Sequence, residues 1–513
     1  MPKITHAQVR MYRMGTGDCF AIRFYAGKTI ACKMMIDAGT WSGSKEHLDP
    51  YISDLKKFFN NQVDILVVTH EHKDHVHAFD VCKELFTDGE FETDQVWLGW
   101  TENDRVKKVK EWKDEYGEKK KALGIAASKL VESMALPDFQ KQFSGNKDAN
   151  KMLGARQVFS KVLTGFADLH LGVDENKVYK GGLAGMDVVK KEIKKNCIKY
   201  FKPGDVIREV ANADGIRIYV LGPPELYEDV KKEAGGEGES YDHNKFLKES
   251  EAFGAAIMNL GNGNGSTDGN IMPFDAHFCE WHLSTQTPSE KSVIDETGNL
   301  DKIKDAYAGK DWRKIDYDWL YSSGSFALRM NGLTNNLSLA LAIEFEDTGR
   351  VMLFPGDAEF GSWASWHNID WKEDDRQKRE GEELKPLTED LLNRTVFYKV
   401  AHHLSHNGTA QRLGLEMMKH KDLAAMATLD YSVINDGWTS TMPNRALLRE
   451  LLLRTKGRLM VMNEEKLFYD FNEEVTLKEK IDEARNRMTT KELEAFNKNF
   501  KETDLYLQFT VKA

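Results

Sequence analysis

Thiolate chemistry is almost missing from this chain. Its 513 residues include five cysteines (Cys19, Cys32, Cys82, Cys197 and Cys279), an odd number, scattered, and with no Cys-x-x-Cys pair. That pattern argues against a disulfide framework and against a thiolate zinc site, so any metal must be held by histidine and carboxylate. Long apolar runs are missing too. The longest, Val63–Val68 and Leu337–Ile343, are far too short to span a bilayer, so no membrane is expected as a partner. The opening residues, MPKITHAQVRMYRMG, show no apolar segment behind a basic start, which predicts a cytoplasmic protein. Nor is positive charge in excess: 71 lysines and arginines face 82 aspartates and glutamates, a net charge of −11. Such a balance speaks against a surface that coats itself in nucleic acid and favours a small or locally gripped substrate.

Histidine, by contrast, is present and unevenly spread. Of 15 histidines, four fall within His70–His77 and three within His402–His406. Histidine is the commonest metal ligand, so two dense clusters in a chain without thiolate motifs point to a metal site assembled from distant segments.

Local patterns around these clusters predict a layered α/β fold. Gln8–Arg13, Cys19–Tyr25 and Thr29–Ile36 are apolar stretches separated by glycines and read as strands. Asp49–Asn60 has the helical spacing of Ile52, Leu55, Phe58 and Phe59, and Val63–Val68 is the continuous run of a buried strand. Residues 101–202 are rich in Lys and Glu and read as a helical insertion that includes VVKKEIKKNCIKYFK. After a strand-like Ile216–Leu221, residues 225–318 read as an irregular insertion; its GNGNGSTDGN lacks the Gly-Lys-Ser/Thr ending of a phosphate-cradling loop. Strand signals return at Leu337–Phe345, Arg350–Phe354 and Val396–Val400, and helices at Leu387–Leu392 and Arg445–Thr455. The segment 474–513 joins an amphipathic helix around Leu477–Met488, a Thr489-x-x-Glu492 capping box and a final strand, LYLQFTV. One domain spanning 1–513, insertions included, is expected.

The strongest local signal follows the buried strand: Thr69-His70-Glu71-His72-Lys73-Asp74-His75. A chance His-x-His-x-Asp-His match is expected in roughly one such sequence in a thousand. His70 and His72 are two apart, so an extended segment points them to one side, and the turn after them brings Asp74 and His75 towards a second position. One loop can therefore serve two adjacent metals.

This loop resembles the signature of the metallo-β-lactamase fold, a four-layer αββα sandwich, here expected with a helical and a loop-rich insertion. Met35-Ile36-Asp37-Ala38-Gly39-Thr40 is similar to the family's early aspartate, which implies that Asp37 supports the histidine loop from behind. Leu353-Phe354-Pro355-Gly356-Asp357 resembles the element whose carboxylate bridges both metals. Tyr398-Lys399-Val400-Ala401-His402-His403-Leu404-Ser405-His406 resembles the last ligand motif, with His402 favoured over its rival His403. Within the family the resemblance is to the hydrolase domain of competence-type DNA-uptake proteins (ComEC-like) and related stand-alone bacterial proteins. It runs through Met14-Gly15-Thr16-Gly17-Asp18, Asn335-Asn336-Leu337-Ser338-Leu339 and His402–Ser405, and covers about residues 1–100, 205–225 and 312–455.

The resemblance implies two divalent cations, zinc first and manganese as the alternative. The first would be held by His70, His72 and Asp357, the second by Asp74, His75, Asp357 and His402. No histidine stands in the neighbourhood of Asn335 and Asn336, where many family members complete the first set, so that site is expected to be weakly occupied. Leu404 stands where the relatives have glycine. The implied activity is metal-dependent hydrolysis of a phosphodiester, in a nucleotide or nucleic acid, with Asp74, Asp37 and Ser405 in catalytic roles and Lys399, Asn336, Ser338 and His406 touching substrate; Lys399, inside a strand, reads more readily as a solvated or structural lysine. The alternatives are a thioesterase or lactonase, and a non-catalytic module that binds a nucleotide, or a protein partner through the insertions. The lysines of 105–121 and 190–202 are interleaved with acids and read as solvated helix faces. His277 and His282 read as loop or packing residues, and Trp281, Trp363 and Trp366 as core or rim aromatics.

Overall fold

The computed structural model describes residues 3–135, 147–171, 184–193, 197–232, 323–372, 384–405, 407–431, 442–464, 467–470 and 473–513, with single positions at 235, 238, 239, 241, 374 and 376. The chain divides into two compact units: Met1–Lys110, Gly182–Lys245 and Asn331–Ala513 make the first, Glu111–Gly181 and Phe246–Met330 the second.

The first unit holds two mixed sheets. In one, β1 (His6–Tyr12), β2 (Phe20–Ala26) and β3 (Thr29–Ile36) pair antiparallel, and β4 (Gln62–Val67), β5 (Glu92–Gly99) and β6 (Ile198–Phe201) extend the sheet in parallel from β3. In the other, β7 (Val206–Ile207), β8 (Ile216–Val220), β9 (Leu341–Phe345) and β10 (Arg350–Phe354) are antiparallel, while β11 (Thr395–Lys399), β12 (Ala424–Asp430) and β13 (Leu459–Asn463) follow β10 in parallel. A hairpin, β14 (Leu467–Asp470) and β15 (Glu473–Thr476), stands apart. The chain's end returns to the first sheet as β16 (Phe500–Glu502) and β17 (Tyr506–Lys512), the latter antiparallel to β1.

Alternation of side chains across each strand gives each sheet two apolar faces. Ile22, Phe24, Ile65 and Val67 of the first sheet share a core with Ile343, Met352, Phe354 and Met426 of the second. The opposite face of the first sheet, with Met35, Leu66 and Leu98, packs on α1 (Lys45–Phe59) through Leu48, Ile52, Leu55 and Phe59, and on α2 (Lys73–Val81) through Val76 and Phe79. Trp363, in the helix Phe360–Trp366, meets Tyr398 of β11 edge-on. The result is a layered α/β sandwich. Each fully buried Leu, Ile or Phe contributes about 1.5–3 kcal/mol.

Several boundaries differ from expectation for identifiable reasons. α1 begins at Lys45 rather than Asp49 because the Ser44 hydroxyl caps it, accepting the His47 N–H. Ile198–Phe201, read within a lysine-rich helix, is strand β6. Ile198 and Tyr200 pack towards the helix-side core and Phe201 towards the inter-sheet core, an alternation that the surrounding lysines conceal. Leu337–Ala340 precedes β9 instead of forming it, and Ser323–Asn335 before it is a helix that no sequence signal assigned. Near the C-terminus two helices, Leu477–Arg485 and Thr490–Asn499, each open with a complete capping box, Thr476 with Glu479 and Thr489 with Glu492.

In the second unit the described helical segments bury Tyr116, Leu123, Ala126, Leu130, Leu163 and Phe166, which agrees with the helical reading of that stretch. Most of 225–318, with His277, Trp281, His282 and GNGNGSTDGN, lies outside the described residues, as does His406. Among the described residues no helix is long and apolar enough to cross a membrane.

Candidate metal centre

Four strands of the two sheets deliver their C-terminal ends to one place. β3 is followed by Asp37 and β4 by Thr69, His70 and His72; β10 is followed by Asp357 and β11 by His402 and His403. Ends of parallel strands are where open α/β sheets build their sites, because the chain leaves the sheet there and frees its side chains. The loop between β1 and β2 adds Asp18. Backbone bonds lock these loops together: Asp18 N–H to Asp74 O (2.8 Å), Gly39 N–H to Asp18 O (2.9 Å) and Ala38 N–H to His75 O (2.9 Å).

Asp18, His75, Asp357 and His403 are all buried, and their ligand atoms lie within 4.8 Å of one another, so the cluster can hold a metal ion. Asp357 Oδ2 lies 3.1 Å from both His75 Nε2 and His403 Nε2, and His403 Nε2 lies 3.1 Å from Asp74 Oδ2. Trp41 Nε1 donates to the same Asp74 oxygen (2.9 Å). Asp74 Oδ1, His75 Nε2 and Asp357 Oδ2 are buried and make no well-directed hydrogen bond among the described residues. Buried polar atoms are almost always paired; ion pairing of Asp357 Oδ2 with the two imidazoles answers part of this, and a cation held among the donors would answer all of it.

The far sides of the rings are fixed. His75 Nδ1 sits 2.8 Å from Asp37 Oδ2, and Asp37 also accepts from the Thr69 N–H (2.7 Å) and hydroxyl (2.6 Å). His403 Nδ1 sits 2.7 Å from Thr428 Oγ1, which donates to Asp18 Oδ1 at 2.7 Å. Both imidazoles therefore turn Nε2 inward, the orientation that outer carboxylate and hydroxyl partners impose on metal-binding histidines.

Charge points the same way. Asp18, Asp37, Asp74 and Asp357 are all buried, with the Lys399 ammonium among them. Burial alone would discharge His75 and His403, yet the surrounding carboxylates, Asp357 foremost, raise His75 well above the ordinary histidine value and His403 to about 9. Burial would likewise raise Asp74 and Asp357, but His75, His403 and, at Asp357, Lys399 hold both carboxyls low. At Asp37 burial prevails and the carboxyl is raised. The carboxylates thus favour positive charge between them, carried by the imidazoles and Lys399 or by a cation that displaces the imidazole protons.

The sequence-derived candidates divide. Asp37, Asp74, His75 and Asp357 come together as described. His70 Nε2 faces His72 Nδ1 at 3.0 Å, with His70 Nδ1 towards Thr69 Oγ1 (3.1 Å) and Ser338 Oγ (3.3 Å), and burial lowers the His70 imidazole well below its usual range. His403 rather than His402 reaches the cluster. The residues His402, His403 and Leu404 all have positive φ (47°, 50° and 65°), and this turn sends His402 to Glu359, its Nδ1 3.3 Å from Oε1.

The expected substrate contacts change role. The three protons of Lys399 go to Gly356 O (2.8 Å), Asp357 Oδ1 (2.9 Å) and Asp18 Oδ2 (2.6 Å), which leaves none for a phosphate. Asn336 Oδ1 accepts from the Glu359 and Ser362 N–H groups, and its Nδ2 donates to Val230 O, so it anchors the start of the Phe360–Trp366 helix. Ser338 Oγ accepts the Asp357 N–H (3.1 Å) and orients that residue. Ser405, expected in a catalytic role, is buried and closes the turn through its N–H to His402 O (2.7 Å). Trp363 and Trp366 are core residues. Asp18, Thr428, Trp41 and Glu359 had no role from sequence; only Asp18 carried a signal, its place in Gly15-Thr16-Gly17-Asp18.

No protein-family model, curated protein or solved structure matches this chain. Its donor chemistry is what bears on function.

Proposed function

We propose that the chain is a metal-dependent hydrolase on a metallo-β-lactamase-like sandwich, with a phosphodiester as its first-choice substrate. The supporting observation is the set of three buried donor atoms without well-directed hydrogen bonds, Asp74 Oδ1, His75 Nε2 and Asp357 Oδ2, with His403 Nε2 beside them. Asp74, His75, Asp357 and His403 would hold a divalent cation, and His70 with His72 would add a second, weaker position. Imidazole with carboxylate suits zinc, and the carboxylate share also admits manganese. Such a cation, when bound, acidifies water and draws charge from a phosphoryl or acyl oxygen.

The chain's own part is to hold these donors ready. Asp37 and Thr428 set the two imidazoles, and Trp41 braces Asp74. The site's carboxylates serve the cation, and a phosphodiester has two oxygens on which a cation can act; these features favour phosphoryl over acyl substrates.

The test is metal analysis of the purified protein, with hydrolysis of a generic phosphodiester, single-stranded DNA and cyclic nucleotides compared for the wild type and Asp74→Ala. A transition metal in the wild type is expected, and a fall in activity of at least about 100-fold in the variant, because several kcal/mol of charge stabilisation depend on the cation. A wild type without transition metal, or a variant that keeps its activity, refutes the reading. Turnover of thioesters or lactones but of no phosphodiester moves the substrate class to acyl compounds.

A further inference from the structure

Lys399 is a buried cation tied to two carboxylates, and those carboxylates do different things. Asp357 Oδ1 accepts from the Lys399 ammonium (2.9 Å) and from the His402 N–H (3.2 Å), so only Oδ2 is left for the centre, where it lies 3.1 Å from His75 Nε2 and from His403 Nε2. Asp18 belongs to the same cluster, yet both its oxygens are engaged: Oδ2 by Lys399 (2.6 Å) and Oδ1 by the Thr428 hydroxyl (2.7 Å). That hydroxyl has spent its proton on Asp18 and can only accept from His403 Nδ1 (2.7 Å). A continuous chain thus runs from Lys399 through Asp18 and Thr428 to His403, and a second, shorter one from Lys399 to Asp357.

We propose that Lys399 is a positioning residue for the metal: its ammonium makes Asp357 a one-oxygen donor and, through Asp18 and Thr428, turns His403 Nε2 inward, so that Asp18 supports the centre rather than ligating it. This rests on the reading of the cluster as a metal centre. The physical cause is geometric. A carboxylate with one oxygen fixed by a buried charge cannot rotate to chelate, and an imidazole with Nδ1–H held by an acceptor keeps its other nitrogen bare.

The test compares wild type, Lys399→Met, Thr428→Val and Thr428→Ser for zinc affinity by calorimetry, and for the visible absorption spectrum of the cobalt-loaded protein, which reports ligand number and geometry. Thr428→Val removes one hydroxyl at nearly constant shape and is expected to weaken zinc binding about 10–100-fold, the usual effect of losing an outer partner of a metal-bound histidine. Thr428→Ser keeps the hydroxyl and is expected to restore wild-type affinity. The cobalt spectrum is expected to change in Lys399→Met and Thr428→Val but not in Thr428→Ser, a distinction that a merely structural role would not produce. If Lys399→Met does not fold, the Thr428 pair decides. Zinc affinity and cobalt spectrum unchanged in the variants, with a wild type that binds both metals, overturn the role of Lys399 alone. A wild type that takes up neither zinc nor cobalt overturns the metal centre, and this role with it.

Discussion

Replacing His403 by alanine is expected to weaken metal binding at least about 100-fold, while replacing His402 leaves it close to wild type. The two residues are adjacent, both buried, and both in left-handed backbone, so composition and burial do not separate them. Geometry does. His403 Nε2 lies 3.1 Å from Asp74 Oδ2 and from Asp357 Oδ2, whereas the His402 ring meets Glu359 Oε1 and, at 3.4 Å, Asn335 Nδ2. The part of His402 that touches the centre is its N–H, 3.2 Å from Asp357 Oδ1, and alanine keeps that group. Left-handed backbone costs a residue other than glycine about 1–2 kcal/mol, and three occur in succession here. The turn is held by Ser405 N–H to His402 O (2.7 Å) and Asn444 N–H to Leu404 O (2.8 Å). The measurement is zinc competition against a chromophoric chelator, with circular dichroism to show that both variants fold. Equal losses in the two variants, or a loss in His402→Ala alone, would refute the assignment.

The same turn shows where sequence reading stops. A strand that ends in His-His tells that a ligand is near, because residue types and strand ends are local properties. Which histidine points inward depends on the sign of φ at residues 402–404, and Leu404 stands where the resemblance led one to expect glycine. Thr29–Ile36, Arg350–Phe354 and Arg445–Thr455 were legible to the residue because their apolar period is uninterrupted. β6 was not, since lysines surround its alternation. Asp37 was legible as the support of the histidine loop only through the resemblance of Met35–Thr40 to the family's early aspartate. Asp18 was not, because its partner Thr428 lies 410 residues away and a Gly-x-Gly-Asp reads as a turn. Asn336 and Ser338 were expected at the substrate since polar residues in a motif suggest contact, and Lys399 was weighed between that contact and a solvated or structural lysine in a strand. The fold instead surrounds each with acceptors or donors of its own, and no local pattern announces that.

Gly39→Ala is expected to destabilise the protein by about 4 kcal/mol or more and to abolish metal uptake, whereas Gly27→Ala is expected to cost only about 1 kcal/mol. Gly27 has φ +64°, but a Cβ there would meet nothing within 4 Å, so the cost is conformational alone. At Gly39 the added carbon would overlap the carbonyl carbon and oxygen of Asp74 and the amide nitrogen of His75, all backbone atoms that no rotamer change can move aside. Gly17 completes the same crossing, its Cβ position lying 2.6 Å from Gly39 O and 2.7 Å from Asp74 O. Carbon contacts are comfortable only at about 3.5–4.0 Å, so the loops carrying Asp18, Asp37 and Asp74 must part to admit a methyl group. Parting them breaks the bonds from Asp18 N–H to Asp74 O, Gly39 N–H to Asp18 O and Ala38 N–H to His75 O, each worth about 1 kcal/mol, in addition to the strain of overpacking. Asp74 and His75 move with their backbone, so the donors separate even in molecules that remain folded. Urea denaturation of the two variants beside the wild type, with metal content measured on the folded protein, checks both halves. Gly39→Ala as stable and as metal-loaded as Gly27→Ala would show that the loops have room the close crossing denies, and that the centre does not depend on it.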